Sequence, residues 1–145
     1  MRKLVLAIST LTLATSMSFA DPQQDREALM KQNGAVMGGL SAYVKGEKPY
    51  DPADVLALLT KLDEDARSME PATLWPAGSE TAESESSPKI WEDAAGFQAA
   101  VDKFRADTGA ALATPPADVD ALKAQMGVLG SNCSSCHQAY RVKKS

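Results

Sequence analysis

The chain has 145 residues, of which 44% are hydrophobic and 23% charged, the balance of one globular domain rather than a disordered chain. A formal charge of −4 excludes nucleic-acid binding as a main function, because neutralising phosphates takes clustered Lys and Arg. With His137 the sole histidine, any site that needs two imidazoles from one chain is excluded as well.

Arg2 and Lys3 form a short basic start, followed by Leu4, Val5, Leu6, Ala7, Ile8 and a mostly apolar stretch to Phe19. Ser18 and Ala20 supply the small residues that a signal peptidase reads, so residues 1–20 are expected to be a signal peptide cut before Asp21. A membrane anchor is disfavoured. Ser9, Thr10, Thr12, Thr15 and Ser16 dilute the run, and spanning takes about 20 consecutive apolar residues. No later segment is long or apolar enough to cross a bilayer. Residues 21–145 then form a single mature domain, more negative by the two cations lost. Export places Cys133 and Cys136 in an oxidising compartment, the periplasm if the host is a bacterium.

The mature region reads as helix, broken at proline clusters. A first helix is expected from about Pro22 to Val44, where Leu29, Met30, Asn33, Met37, Leu40 and Val44 keep the three–four spacing of one face. Gly34, Gly38 and Gly39 weaken it by roughly 1 kcal/mol each relative to alanine. Two readings stand: close approach of another helix or a flat ligand, or glycines that are simply tolerated. After the turn Lys45–Tyr50, Asp51 and Pro52 form a cap followed by a first-position proline. The second helix, to about Met69, carries Val55, Leu58, Leu59, Leu62, Ala66 and Met69 on one stripe.

Residues 70–87 break the pattern with Pro71, Pro76, Gly78, Glu80, Glu83 and Glu85 among serines. They read as a solvated loop, with a docking surface for a basic partner as the alternative. Ser87 and Pro88 repeat the cap-and-proline device ahead of a third helix. Ile90, Ala94, Phe97, Val101, Phe104, Thr108 and Leu112 carry its period until Pro115 and Pro116 end it. Asp118 caps a fourth helix bearing Val119, Leu122, Met126, Leu129, Cys133, His137 and Tyr140 along one side. No useful stretch alternates with period two. The expected fold is all-α, an antiparallel four-helix bundle with mostly short connections.

Cys133-Ser134-Ser135-Cys136-His137 is the attachment signature of a c-type haem. Two thiols one helical turn apart suit addition to the two vinyl groups of one porphyrin, and the next residue supplies an axial imidazole. A thioredoxin-like pair would want a βαβ context that is missing. A structural zinc site needs four ligands, and a plain disulfide leaves His137 unexplained. One covalently held haem c, with its iron, is therefore expected.

The signature lies near the C-terminus, on the last helix. Together with Arg26-Glu27-Ala28-Leu29-Met30, Lys45-Gly46-Glu47-Lys48-Pro49-Tyr50-Asp51, Pro88-Lys89-Ile90-Trp91 and Cys133 to Arg141, it makes the chain resemble a class II cytochrome c of the cytochrome c prime superfamily. The resemblance implies a left-handed four-helix bundle with haem inside, resident in the bacterial periplasm. It also bears on the iron's sixth position. High-spin members have a bulky non-ligating residue where this chain has Met30, whereas the low-spin branch, typified by cytochrome c-556, has methionine. Leu29-Met30-Lys31-Gln32-Asn33-Gly34 looks like that branch, which implies Met30 as distal ligand opposite His137. Met37 is the fallback on the same face, and plain core packing is the alternative for Met30.

By the same resemblance Arg26, one turn before Met30, is expected to pair with a haem propionate, against the alternative of a solvated surface arginine. Arg141, one turn after His137, is expected near the proximal side, where it would tune the iron. Lys143 and Lys144 are cations favoured at a helix C-terminus, and Trp91 and Tyr140 are expected as core aromatics near the haem. The function read from these residues is a periplasmic electron carrier, with no enzymatic activity, steered to redox partner proteins by charge. The alternative is a five-coordinate protein that binds NO or CO. A peroxidase lacks a second histidine as distal base. Glycines and alanines on the first two helices also suit a homodimer face.

Overall fold

A computed structural model describes residues 21–143. The expected signal peptide, residues 1–20, and Lys144 lie outside the described residues. Four long helices carry the fold: α1 (Pro22–Val44), α2 (Pro52–Ser68), α5 (Ala94–Ala113) and α6 (Val119–Tyr140), with two single turns, α3 (Pro71–Leu74) and α4 (Lys89–Glu92), between α2 and α5. No described helix is long and apolar enough to cross a membrane.

The helix starts follow from capping chemistry. Asp21 accepts from the Gln23 amide, Asp51 from those of Ala53 and Asp54, and Asp118 from that of Ala121; each satisfies a donor the helix leaves bare. The end of α1 is equally defined. Gly46 takes φ +69°, its amide donates to Tyr43 O and the Glu47 amide to Ala42 O. That paired closure requires a left-handed residue, which glycine supplies without steric cost.

Each long helix packs against two others: α1 on α2 and α6, and α5 on α2 and α6. Consecutive long helices are therefore neighbours, as in an up-and-down bundle. Leu40, Leu59, Leu62, Leu122 and Leu129 are almost fully enclosed at its centre. The buried face of α1 is Arg26, Asn33, Val36, Leu40 and Tyr43, rotated from the expected stripe. Met30 and Met37 sit at its edge, half-buried. Gly39 of α1 meets Leu58 of α2, so this glycine does serve a close helix approach.

Two expectations need correction. The third helix is interrupted at Asp93, whose Oδ1 accepts from the Gly96 amide and whose Oδ2 accepts from the Tyr140 hydroxyl at 3.0 Å. A continuous helix would leave no free carboxylate there to cap α5 and hold α6. Nor is 70–87 simply solvated. Leu74, Trp75 and Ser84 are buried, and Trp75 donates from Nε1 to Ser86 Oγ. Its far end pairs with the C-terminus, through Ser87 N to Tyr140 O and Val142 N to Glu85 O, both 2.9 Å, with an antiparallel bridge between Ser86 and Arg141.

Glycine substitutions in these helices should split by sign. A Cβ on Gly96 would lie 2.6 Å from the Tyr140 hydroxyl, so Gly96→Ala is expected to cost about 1–3 kcal/mol through overpacking and loss of the Asp93 cap. Gly38 faces open space, and Gly38→Ala should stabilise by about 0.5–1 kcal/mol. Urea denaturation of both variants checks the pair.

Candidate functional site

The haem signature occupies the last two turns of α6. Cys133 and Cys136 are half-buried, three residues apart and so on one side of the helix. His137 is exposed, directly after them. Burial pushes both thiols upward, and the neighbouring Cys133 raises Cys136 further. Burial pushes His137 down, the Arg141 cation adds to that, and Glu85 opposes it. The neutral imidazole that results is the metal-binding form.

Two cavities converge on this segment. The larger, about 580 Å³, is lined by Arg26, Trp75, Phe97, Tyr140 and Arg141, among others. The smaller, about 300 Å³, is lined mainly by apolar groups of Asn33, Met37, Met69, Val101 and Phe104 with Cys133. Met30, Cys136 and His137 belong to both. Each volume lies in or at the edge of the range of small-molecule sites.

The larger cavity has an aromatic wall and a polar rim. Trp75 meets Phe97 edge-on with ring centroids 4.8 Å apart, and Phe97 meets Tyr140 likewise at 5.2 Å. Arg26 is only 3% exposed, which removes the solvated reading. Its Nη1 donates to Leu74 O at 2.8 Å and Ser79 Oγ at 3.0 Å, and its Nη2 to Ser79 O at 3.2 Å. Its Nε is buried without a hydrogen-bond partner among the described residues. Arg141 shares this cavity with His137 and is held by Glu85, Nε to Oε2 at 2.7 Å.

Trp91 lines neither cavity; its Nε1 donates to Pro76 O at 3.1 Å. Trp75 takes the place beside the site instead. Sequence reasoning passed over it because it lies in a Pro- and Glu-rich stretch. The adjacent apolar pair Leu74-Trp75 was the available signal. In the smaller cavity Asn132 donates from Nδ2 to Asp107 Oδ2 at 2.7 Å and to Val128 O, which anchors the turn preceding Cys133.

The sequence profile of the cytochrome c' family matches residues 21–141. The chain belongs to the cytochrome c' family. It is 42% identical over 121 residues to a cytochrome c-556 of Agrobacterium tumefaciens (strain II Chrys), covering 83% of this chain and 97% of that relative. Among solved structures it is similar to the cytochrome c' of Rhodopseudomonas palustris, with a TM-score of 0.79 and 38% identity over 88% of this chain and 100% of that one. An oxidised cytochrome c556 of the same organism matches with a TM-score of 0.74 and 37% identity, covering 86% of this chain and 98% of that one.

A cytochrome c' carries covalent haem c, and the residues present fit it. Two thiols and a neutral imidazole converge on cavities of sufficient size. The bare Nε of buried Arg26 is an unsatisfied cationic donor of the kind that suits a carboxylate.

Proposed function

We propose that the chain is a periplasmic one-electron carrier whose haem iron is bound by His137 on one side and Met30 on the other. Cys133 and Cys136 hold the haem through thioethers, and Arg26 meets a propionate. One observation carries the reading. Of Met30, Met37, Met69 and Met126, Met30 alone lines both cavities, and it shares that position with Cys136 and His137.

The haem supplies a ferric–ferrous couple. His137 contributes a neutral nitrogen donor and Met30 a soft thioether, which favours the ferrous state and raises the potential. With His137 and Met30 both holding the iron, the haem would exchange electrons and offer no open site to a gas. Arg141 lies beside His137 in the larger cavity and is paired with Glu85, so the two charges largely offset each other there. Redox partner proteins would meet the carrier where the haem edge reaches solvent.

A second reading has its own observation. The smaller cavity is apolar and lies beside Met30, and such a space would admit NO or CO were the sulfur off the iron. Absorption spectra of the purified holoprotein, oxidised and reduced, with and without CO, separate the two. Sharp α and β bands on reduction, a weak near-red sulfur-to-iron band on oxidation and indifference to CO are expected. A broad high-spin spectrum that changes with CO would move the function to gas binding.

A further inference from the structure

Asn33 is 8% exposed, and its Oδ1 is enclosed with no hydrogen-bond partner among the described residues. Natural chains rarely leave a buried amide bare, and such a group calls for an explanation. It lines the smaller cavity, three residues after Met30 and four before Met37, on the same face of α1.

The other polar side chains of that wall are already engaged or will be. The Asn132 amide bonds Asp107 and Val128, while Cys133, Cys136 and His137 belong to the haem attachment. What remains are Asn132 Oδ1 on α6 and the sulfurs of Met30, Met37 and Met69, and of these Met30 and Met37 stand one turn from Asn33 on its own helix. All are acceptors only. An amide turns end for end with no change of shape, so the end that satisfies this wall is the NH₂ group.

We propose that Asn33 is a positioning residue for the sixth iron ligand, donating a hydrogen bond from its carboxamide to the Met30 sulfur. The proposal rests on the His137/Met30 reading. A donor on the thioether withdraws electron density from it, weakens its support of ferric iron and raises the potential. It also holds the Met30 side chain in one orientation.

Asn33→Leu and Asn33→Ala holoproteins would be titrated beside the wild type by spectroelectrochemistry, with the near-red band recorded on each oxidised sample. Loss of the amide is expected to move the ferric–ferrous equilibrium about tenfold toward ferric, 59 mV lower for a one-electron couple, and to shift the near-red band. An unchanged potential overturns the assignment. So does a lowered potential with an unmoved band, since a general loss of polarity shifts the couple without touching the sulfur. A wild-type protein that lacks the band and binds CO overturns both this assignment and the reading beneath it, so the wild-type spectrum tells the two failures apart. Alanine removes the amide without adding bulk or a new donor, which keeps the test decisive if the leucine variant does not fold.

Discussion

On the proposed His137/Met30 ligation, Met30→Leu should give a five-coordinate protein that binds CO. Leucine matches methionine in helix propensity and nearly in volume, so the packing cost stays below about 1.5 kcal/mol. What disappears is the sulfur. The near-red band should vanish from the oxidised spectrum, the reduced bands should broaden, and CO should bind where the wild type ignores it. The potential should fall by about 100 mV, a modest part of the roughly 0.8 V that axial ligation spans. Met37→Leu is the control. Met37 lines only the smaller cavity, and its replacement should leave band and potential in place. Loss of the band in Met37→Leu, with retention in Met30→Leu, would transfer the ligand role to Met37.

Arg26→Ala should be the most destabilising change at the site. The guanidinium bonds Leu74 O, Ser79 Oγ and Ser79 O from a position 3% exposed, and it lies 6.0 Å from the centre of the Trp75 ring. Removing it breaks charge-assisted bonds and leaves the Leu74 carbonyl buried without a donor. The expected loss is about 3 kcal/mol, near 10 °C in Tm for a domain of this size. Lysine recovers only part of it, because one ammonium lacks the planar fork that serves Leu74 and Ser79 together. Thermal unfolding of the two variants checks this ordering. A loss under 0.5 kcal/mol in Arg26→Ala would mean that the bonds between α1 and the 74–79 segment contribute nothing to the fold.

Trp75 should report the same event separately. Released from Arg26, it becomes more accessible, so its indole N–H, bonded to Ser86 Oγ in the wild type, should exchange with solvent faster in Arg26→Ala by NMR. That readout follows the 70–87 segment, whereas unfolding follows the whole bundle.

Local chemistry made much of this protein legible. Asp21-Pro22, Asp51-Pro52 and Asp118 mark helix starts because each cap satisfies amides only two or three residues away. The stripes of α2 and α6 are readable for a similar reason: Val55, Leu59, Leu62 and Ala66, or Leu122 and Leu129, repeat at the spacing of one helix face. Cys133, Cys136 and His137 form the site's anchor within five residues, so the cofactor too is written in one short string.

Only the tertiary structure decided the rest, because it depends on residues far apart in the chain. Arg26 is buried by bonds to residues 48 and 53 positions away, and no property of its own neighbourhood distinguishes it from a surface arginine. Asp93 interrupts the third helix to hold the Tyr140 hydroxyl 47 residues on. Hydrophobic periodicity places Met30 on the inward side of α1, but it cannot separate packing against a helix from facing a cavity, since burial rewards both alike. That distinction is geometric: the 580 Å³ and 300 Å³ spaces share Met30, Cys136 and His137. The sequence determined that a haem is attached and on which helix; how α1 and α6 pack determines which methionine shares its space.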